Sequence, residues 1–302
     1  MLTHVHRALS RQYNKVRRVV VKRRHVNPVL ASVPEDARIL EIGGGYNPRY
    51  LKSRYRNAFH LDHCNTAELR AKYAAMPEVA HHVHRIQEVD FVFAGAPIET
   101  VIPADLRFDV IYGSHVLEHQ VDLIGHLQSL EKLLAPGGRV IEIIPDYRRC
   151  FDVLRYPSVT SDALVVHMKQ PPIHQGKQVF DSMSRSISAN PGRPVTAADL
   201  IKARFSHSLR SAYEAVMALE APGAAYQDMH AWTFRPESFR LLMIELLLLG
   251  LTRLRPTVVS PSYDNQFCAV LESVDMDPGA MDAPAIAALE RERLELCKSL
   301  RV

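Results

Sequence analysis

The run Arg38-Ile39-Leu40-Glu41-Ile42 is apolar apart from its basic first residue and one acid, and Gly43-Gly44-Gly45 follows it directly. Glycines at such a place let main chain approach a ligand closely, because no Cβ intervenes. A second run, Ala58-Phe59-His60-Leu61-Asp62, ends on an acid about 20 residues further on, the separation at which a nucleotide-binding βαβ unit sets a carboxylate against ribose hydroxyls. The dinucleotide fingerprint would need another glycine at position 48, and the chain has Pro48. Open amides for a pyrophosphate are therefore not provided, and a nicotinamide dinucleotide is disfavoured. A ligand with ribose and no phosphate has no such need. S-adenosylmethionine (SAM) is one.

Strands and helices must hold these groups in place. Hydrophobic patterns predict strands near 38–42, 58–62, 84–89, 108–113 and 139–144, with helices near 48–55, 65–75 and 120–134. That alternation specifies a parallel sheet with helical crossovers. Leu134-Ala135-Pro136-Gly137-Gly138 stops one helix and turns into the fifth strand. Between Pro145 and Asp228 the pattern breaks, with Pro171-Pro172, Pro191-Gly192 and Pro194 separating short helices and 196–219 reading as helical. Pro236 and Glu237 open a helix over 236–250. Residues 252–259 and 266–273 alternate as two closing strands, and 284–299 forms a charged amphipathic surface helix.

Composition bounds the class. With 47% hydrophobic and 23% charged residues the chain is an ordinary soluble globular protein. Its longest apolar run, Leu241 to Leu251, contains Glu245 and is too short to span a bilayer. The N-terminus carries no apolar segment of a secretory signal. Cys64, Cys150, Cys268 and Cys297 are scattered without Cys-x-x-Cys pairing, so neither a disulfide framework nor a zinc knuckle is indicated, and a cytoplasmic location is expected. His82 and His84 would share one face of a strand beside His81, but no acid or fourth ligand stands at a recognisable spacing, so no metal is expected there. Net charge is +4, and eight basic residues from Arg7 to Arg24 precede the first acid, Glu35. Leu2, Val5, Leu9, Tyr13, Val16 and Val20 recur among them at helical spacing. Such a helix either packs its apolar stripe on the main domain, the commoner outcome, or lies on an anionic membrane surface at the inner face. Basic residues gathered at one end without aromatic interleaving do not indicate nucleic-acid binding. The oligomeric state is left open.

Glu41-Ile42-Gly43-Gly44-Gly45, Phe108-Asp109-Val110-Ile111-Tyr112-Gly113-Ser114-His115-Val116-Leu117-Glu118-His119 and Leu133-Leu134-Ala135-Pro136-Gly137-Gly138, in this order and spacing, resemble the class I SAM-dependent methyltransferases over roughly positions 36–146. Asn47 stands where that family usually has a further glycine. A narrower set, including Asn47-Pro48, Asp62-His63, Ile144-Pro145-Asp146-Tyr147-Arg148 and His230-Ala231-Trp232-Thr233-Phe234, is similar to bacterial methyltransferases associated with surface-polysaccharide biosynthesis. The resemblance implies an α/β fold with a Rossmann-like seven-stranded methyltransferase sheet and an inserted helical acceptor cap. It divides the chain into a basic helix and linker (1–34), a SAM-binding core (35–145), an acceptor-binding insertion (146–235) and a completing segment (236–302).

On that reading Gly43, Gly44 and Gly45 admit the methionine part of SAM, Glu41 orders their loop, and Asp62 with His63 holds the ribose. Asp90, at the end of a third strand, meets the adenine amino group with Phe91 against the ring, and Ser114 lies at the carboxyl end of the fourth strand. An alcohol acceptor is a weak nucleophile and needs a general base, for which His115, Asp146 and His230 are the candidates. Arg148 and Asp152 either grip the acceptor or form a structural ion pair. Trp232 either stacks on a sugar or fills the core. The implied activity is O-methylation of a sugar or glycan precursor. A small-molecule or lipid methyltransferase, and a methyltransferase-like protein that binds without transfer, are the alternatives.

Overall fold

The structure is a computed structural model and describes residues 16–93, 95, 97–189, 193–219, 221, 223–274 and 281–301. Seven strands form one sheet: β1 (Ile39–Ile42), β2 (Ala58–Asp62), β3 (Phe91–Val92), β4 (Phe108–Ser114), β5 (Leu134–Pro145), β6 (Leu254–Val259) and β7 (Gln266–Ser273). Their order is β3-β2-β1-β4-β5-β7-β6. The first five run parallel, and β7 pairs antiparallel with both β5 and β6. This is the Rossmann-like methyltransferase sheet expected.

Successive residues of β1 are all buried, because helices cover both faces of its sheet, and such strands read as continuous apolar runs. Leu40, Ile111, Leu127, Phe239 and Trp232 pack on one face, and Ile39, Tyr50, Val110 and Ile141 on the other. Helix α1 (Asn27–Ala31) belongs to the second face through Leu30, and α2 (Thr66–Ala74) follows β2. Asn65 starts α2 by accepting from the amides of Ala67 and Glu68, while Glu68 accepts from the Asn65 amide. Helix α3 (Leu123–Leu133) is capped by Asp122. Between β5 and β6 stand α4 (Thr160–Lys169), α5 (Gly176–Arg185), α6 (Ala197–Ile201), α7 (Leu209–Ala218) and α8 (Pro236–Leu248), the last packed in the core, and α9 (Ala283–Ser299) lies against α8. Among the described residues no helix is long and apolar enough to cross a membrane.

Several expectations need correction. The stretch 84–89 is not a strand: Ala80–Arg85 is a 3-10 helix, and the third strand is the two-residue pair Phe91–Val92. Val83, Ile86 and Val89 recur every third residue, not every second, so the stretch lacks the alternation of a pleat. His82 and His84 accordingly do not share a strand face. Residues 48–55 form turns, not a helix, and 196–219 is two helices. The fifth strand begins at Leu134, five residues earlier than expected. Positions 2, 5, 9 and 13 of the basic N-terminal stripe lie outside the described residues. Within them, Val16 and Val20 are exposed while Val21 and Val26 are buried, and Arg18 pairs with Asp264 at 3.0 Å.

Candidate active site

The carboxyl ends of β1, β2, β4 and β5 meet at one edge of the sheet. At the end of β1 the chain turns sharply, with Gly43 at φ +66° and Gly45 at φ +48°. Both angles lie where a side chain costs free energy, so glycine is required for the backbone alone. Space reinforces this: a Cβ on Gly43 would stand 2.8 Å from Val116 Cγ2, and one on Gly45 2.8 Å from Tyr73 Oη. Glu41 is buried beneath the turn and accepts from the amides of Arg49 (2.6 Å) and Tyr50 (2.7 Å), which fixes where the loop returns. Burial pushes its carboxyl up to about 7, against the pull of those two amides.

Asp62 closes β2 beside this loop. Its Oδ2 accepts from the Gly45 amide at 3.3 Å, and its Oδ1 from the His63 amide and His63 Nδ1 at 2.8 and 2.6 Å. The glycine turn and the acid expected to hold ribose are thus in direct contact. Tyr73, on α2, lies over Gly45 and meets the Tyr46 ring edge-on with centroids 5.0 Å apart. Neither tyrosine was anticipated as part of the site.

Asp90 and Phe91 are placed differently from expectation. Asp90 precedes β3 instead of ending it, level with His60, whose amide it accepts at 2.7 Å. Its oxygens also take Lys52 Nζ at 2.8 and 2.7 Å, so the carboxylate is already engaged. Phe91 stacks on Phe59 against the core, with centroids 5.9 Å apart. The carboxyl end of β3 is Val92, followed by Phe93, whose amide donates to Asp62 O at 2.8 Å.

Ser114 and His115 follow at the end of β4. His115 has φ +56°, so the chain swings away from the sheet there and turns the segment 116–119 toward the glycine loop. A group absent from the sequence-based set lies at its centre. Glu118 is fully buried, and neither of its oxygens has a hydrogen-bond partner among the described residues. Three histidines face its Oε1: His115 Nδ1 at 3.4 Å, His230 Nε2 at 3.7 Å and His119 Nε2 at 3.8 Å. The far nitrogen of each histidine meets an oxygen. His115 Nε2 lies 2.8 Å from Gln266 Oε1, His230 Nδ1 2.6 Å from Asp152 Oδ2, and His119 Nδ1 2.8 Å from Asp228 Oδ1.

The antiparallel register of β7, which sets Gln266 opposite Pro145, brings that amide to the edge. Arg155 Nη1 donates to Asp152 Oδ1 (2.9 Å) and to His230 O (2.6 Å), and the amides of Ala231 and Trp232 donate to Glu118 O. His230 is therefore held beside Glu118 from both sides.

Electrostatics follow from this packing. Burial raises the Glu118 carboxyl, but His115 alongside and the charges of His230 and His119 outweigh it and hold it below the usual value. Burial lowers His115 and His119, yet Glu118, with Gln266 and Asp228 respectively, leaves both above the ordinary histidine value. Asp152 is fully buried and, despite burial, is held low by His230 and Arg155.

His115 and His230 are thus brought together through Glu118, while Asp146 is not available as a base. Its buried carboxylate takes Arg148 Nε at 2.9 Å and Nη2 at 2.7 Å, the Arg148 amide and Ser262 Oγ, which uses its acceptor capacity. Arg148 with Asp146, and Arg155 with Asp152, are ion pairs within the fold. Trp232 fills the core, its Nε1 donating to Gln120 O at 2.6 Å.

Residues 13–246 match the family described as methyltransferase domain. No curated protein matches the sequence. Among solved structures the chain is similar to DhpI in complex with SAH, at 13% identity and TM-score 0.40, covering 88% of this chain and 95% of that one. It is similar also to the CcbJ methyltransferase from Streptomyces caelestis, at 11% identity and TM-score 0.39, covering 82% and 92%. The mitomycin 7-O-methyltransferase MmcR follows at 12% identity and TM-score 0.38, covering 82% of this chain and 52% of that one. The family match spans more than three quarters of the chain and coincides with the glycine turn, Asp62 and the sheet order that surrounds them, and on these grounds the chain belongs to the SAM-dependent methyltransferase-domain family.

Proposed function

We propose that this protein methylates a hydroxyl oxygen of a sugar or glycan precursor, with the insertion 146–235 binding the acceptor. The residues fit SAM: two left-handed glycines clear the approach to the end of β1, and Asp62 Oδ2, which among the described residues accepts one long bond from Gly45, keeps capacity for ribose hydroxyls. When bound, SAM supplies a methyl group already activated on a sulfonium sulfur. What the chain adds is position and a place for the acceptor's proton.

One observation carries the choice of a hydroxyl. His115 and the His230–Asp152 pair converge on Glu118, on the segment whose Val116 abuts Gly43, so proton acceptors stand on the side of the sheet where a weak nucleophile would need them. His115, about one third exposed, is assigned as the base that takes the hydroxyl proton; His230, nearly enclosed and fixed by Asp152, closes the pocket on the inner side. The polar character of this pocket and the likeness of the sequence to polysaccharide-associated methyltransferases support a sugar over a lipid.

The test is transfer from methyl-labelled SAM to a panel of sugar nucleotides and oligosaccharides, with products identified by mass spectrometry. A methyl ether on a sugar is expected. Transfer only to lipid or amine acceptors would contradict the acceptor class, and firm SAM binding without any transfer would favour the binding-only alternative.

A further inference from the structure

A fully buried carboxylate that accepts no hydrogen bond among the described residues is costly, and ring nitrogens standing 3.4–3.8 Å away compensate its charge only in part. Glu118 is such a group, and the nitrogens around it are arranged in an unusual way. His230 Nε2 and His119 Nε2 lie 3.7 and 3.8 Å from its Oε1, beyond hydrogen-bond range. With metal–ligand bonds of about 2.0–2.2 Å, however, two ligand atoms on one tetrahedron stand about 3.3–3.6 Å apart. One ligand atom from each of Glu118, His119 and His230 lies within 4.8 Å of the others. Small side-chain rotations would close that spacing around an ion.

The outer contacts point the same way. A histidine that binds a metal usually donates its other ring N–H to a carboxylate or carbonyl, which fixes the tautomer and directs a lone pair inward. His230 Nδ1 lies against Asp152 at 2.6 Å, and Arg155 anchors that carboxylate in turn. His119 Nδ1 stands 2.8 Å from Asp228 Oδ1, an ion-pair distance without hydrogen-bond alignment among the described residues, so the outer contact is firm for His230 and looser for His119. In both rings the nitrogen left over is the one that faces Glu118.

We infer that Glu118, His119 and His230 form a binding site for one divalent first-row transition-metal ion that accepts two imidazoles and one carboxylate, such as Zn2+. His115, with Nδ1 3.4 Å from Glu118, flanks the site as a fourth group. His119 is about one quarter exposed, which leaves a path of entry and open coordination positions on that side. A second set, Cys150, Asp152 and His230, does not serve: its His230 nitrogen is already in the 2.6 Å bond to Asp152, which leaves no room for an ion between them. The ligands come from residues 118–119 and 230, so no short spacing in the sequence signals them. A metal here would polarise an acceptor oxygen, a role that rests on the transfer reaction proposed above, whereas the site itself does not.

The experiment is titration of the full chain, stripped with chelator, with Co2+ alone, followed by visible absorption and calorimetry. One Co2+ per chain with d–d bands is expected, displaced by Zn2+. Glu118→Gln and His119→Gln should each weaken Co2+ by more than the roughly 10–100-fold that loss of an outer hydrogen-bond partner costs. S-adenosylhomocysteine affinity should stay near the parent value in both, which serves as the check on folding; His119, at the rim, keeps the test open should the Glu118 variant fail to fold. No stoichiometric Co2+ binding by the parent chain overturns the inference, as does binding that survives in a folded variant. The titration needs neither SAM nor an acceptor, so a failure of the proposed reaction leaves its result readable.

Discussion

Gly43 is the position where conformation and space can be separated experimentally. Gly43→Ala adds one methyl group at φ +66°, a region costing an L-residue about 1–2 kcal/mol. The added Cβ also lands 2.8 Å from Val116 Cγ2, an overlap that repacking relieves at roughly 1–3 kcal/mol. The sum is about 2–5 kcal/mol, or a fall in melting temperature of about 3–8 °C for a chain of this size. Val116→Ala removes the methyl group that is struck and leaves the dihedral untouched. A double-mutant cycle, read by urea unfolding, should therefore show a favourable coupling of about 1–3 kcal/mol, with Gly43→Ala costing only about 1–2 kcal/mol in the Val116→Ala background. Calorimetry with S-adenosylhomocysteine should show the same order, because the loop that must shift is the one that admits the ligand. Costs that add without coupling would mean that Val116 does not abut Gly43. A cost near zero for Gly43→Ala would mean that the turn is not left-handed, and the cradle would have to be abandoned.

Other outcomes follow from the same geometry. Glu142 is buried in β5 with both oxygens unpartnered among the described residues, and burial, then the charge of Glu118, pushes its carboxyl up from 4.5 to about 8. A raised acid favours folding with the proton on, so this group costs stability increasingly as pH rises from its unfolded value through its folded one. Glu142→Gln should remove a penalty on the order of 3 kcal/mol at neutrality, and its advantage over the parent in urea unfolding should grow across that window; parallel profiles would refute this. Asp152→Asn should cost about 3–5 kcal/mol by stranding the buried Arg155, with much of it recovered in Asp152→Asn/Arg155→Met, whereas equal losses in single and double variants would speak against the ion pair. His115→Gln should lower kcat at least ~100-fold with S-adenosylhomocysteine affinity retained; an unchanged kcat would remove it as the base.

How much could be read in advance depended on how local each feature is. The buried parallel strands announce themselves as apolar runs, Gly43 and Gly45 are dictated by a left-handed turn, and Asp62 ends the neighbouring parallel strand. The third strand was misplaced because only Phe91 and Val92 pair, and two residues carry no period. Asp90 was misplaced with it. Asp146 follows a strand as a catalytic base might, but only the fold shows Arg148 gripping both of its oxygens. Glu118 stood inside the quoted run Val116-Leu117-Glu118-His119, yet its importance arises from residues 152, 155, 228, 230 and 266, which tertiary structure alone gathers. An acid in an apolar stretch was the available signal.

The central claim is that the turn at Gly43–Gly45 and Asp62 together hold the methyl donor. Calorimetric titration of the parent chain and Asp62→Ala with S-adenosylhomocysteine tests it most directly. The account predicts one-to-one binding by the parent and a loss of roughly 10-fold or more in the variant, as expected when a charge-assisted bidentate contact worth about 1.5–3 kcal/mol is removed. No binding by the parent, or equal affinity in both, would contradict it.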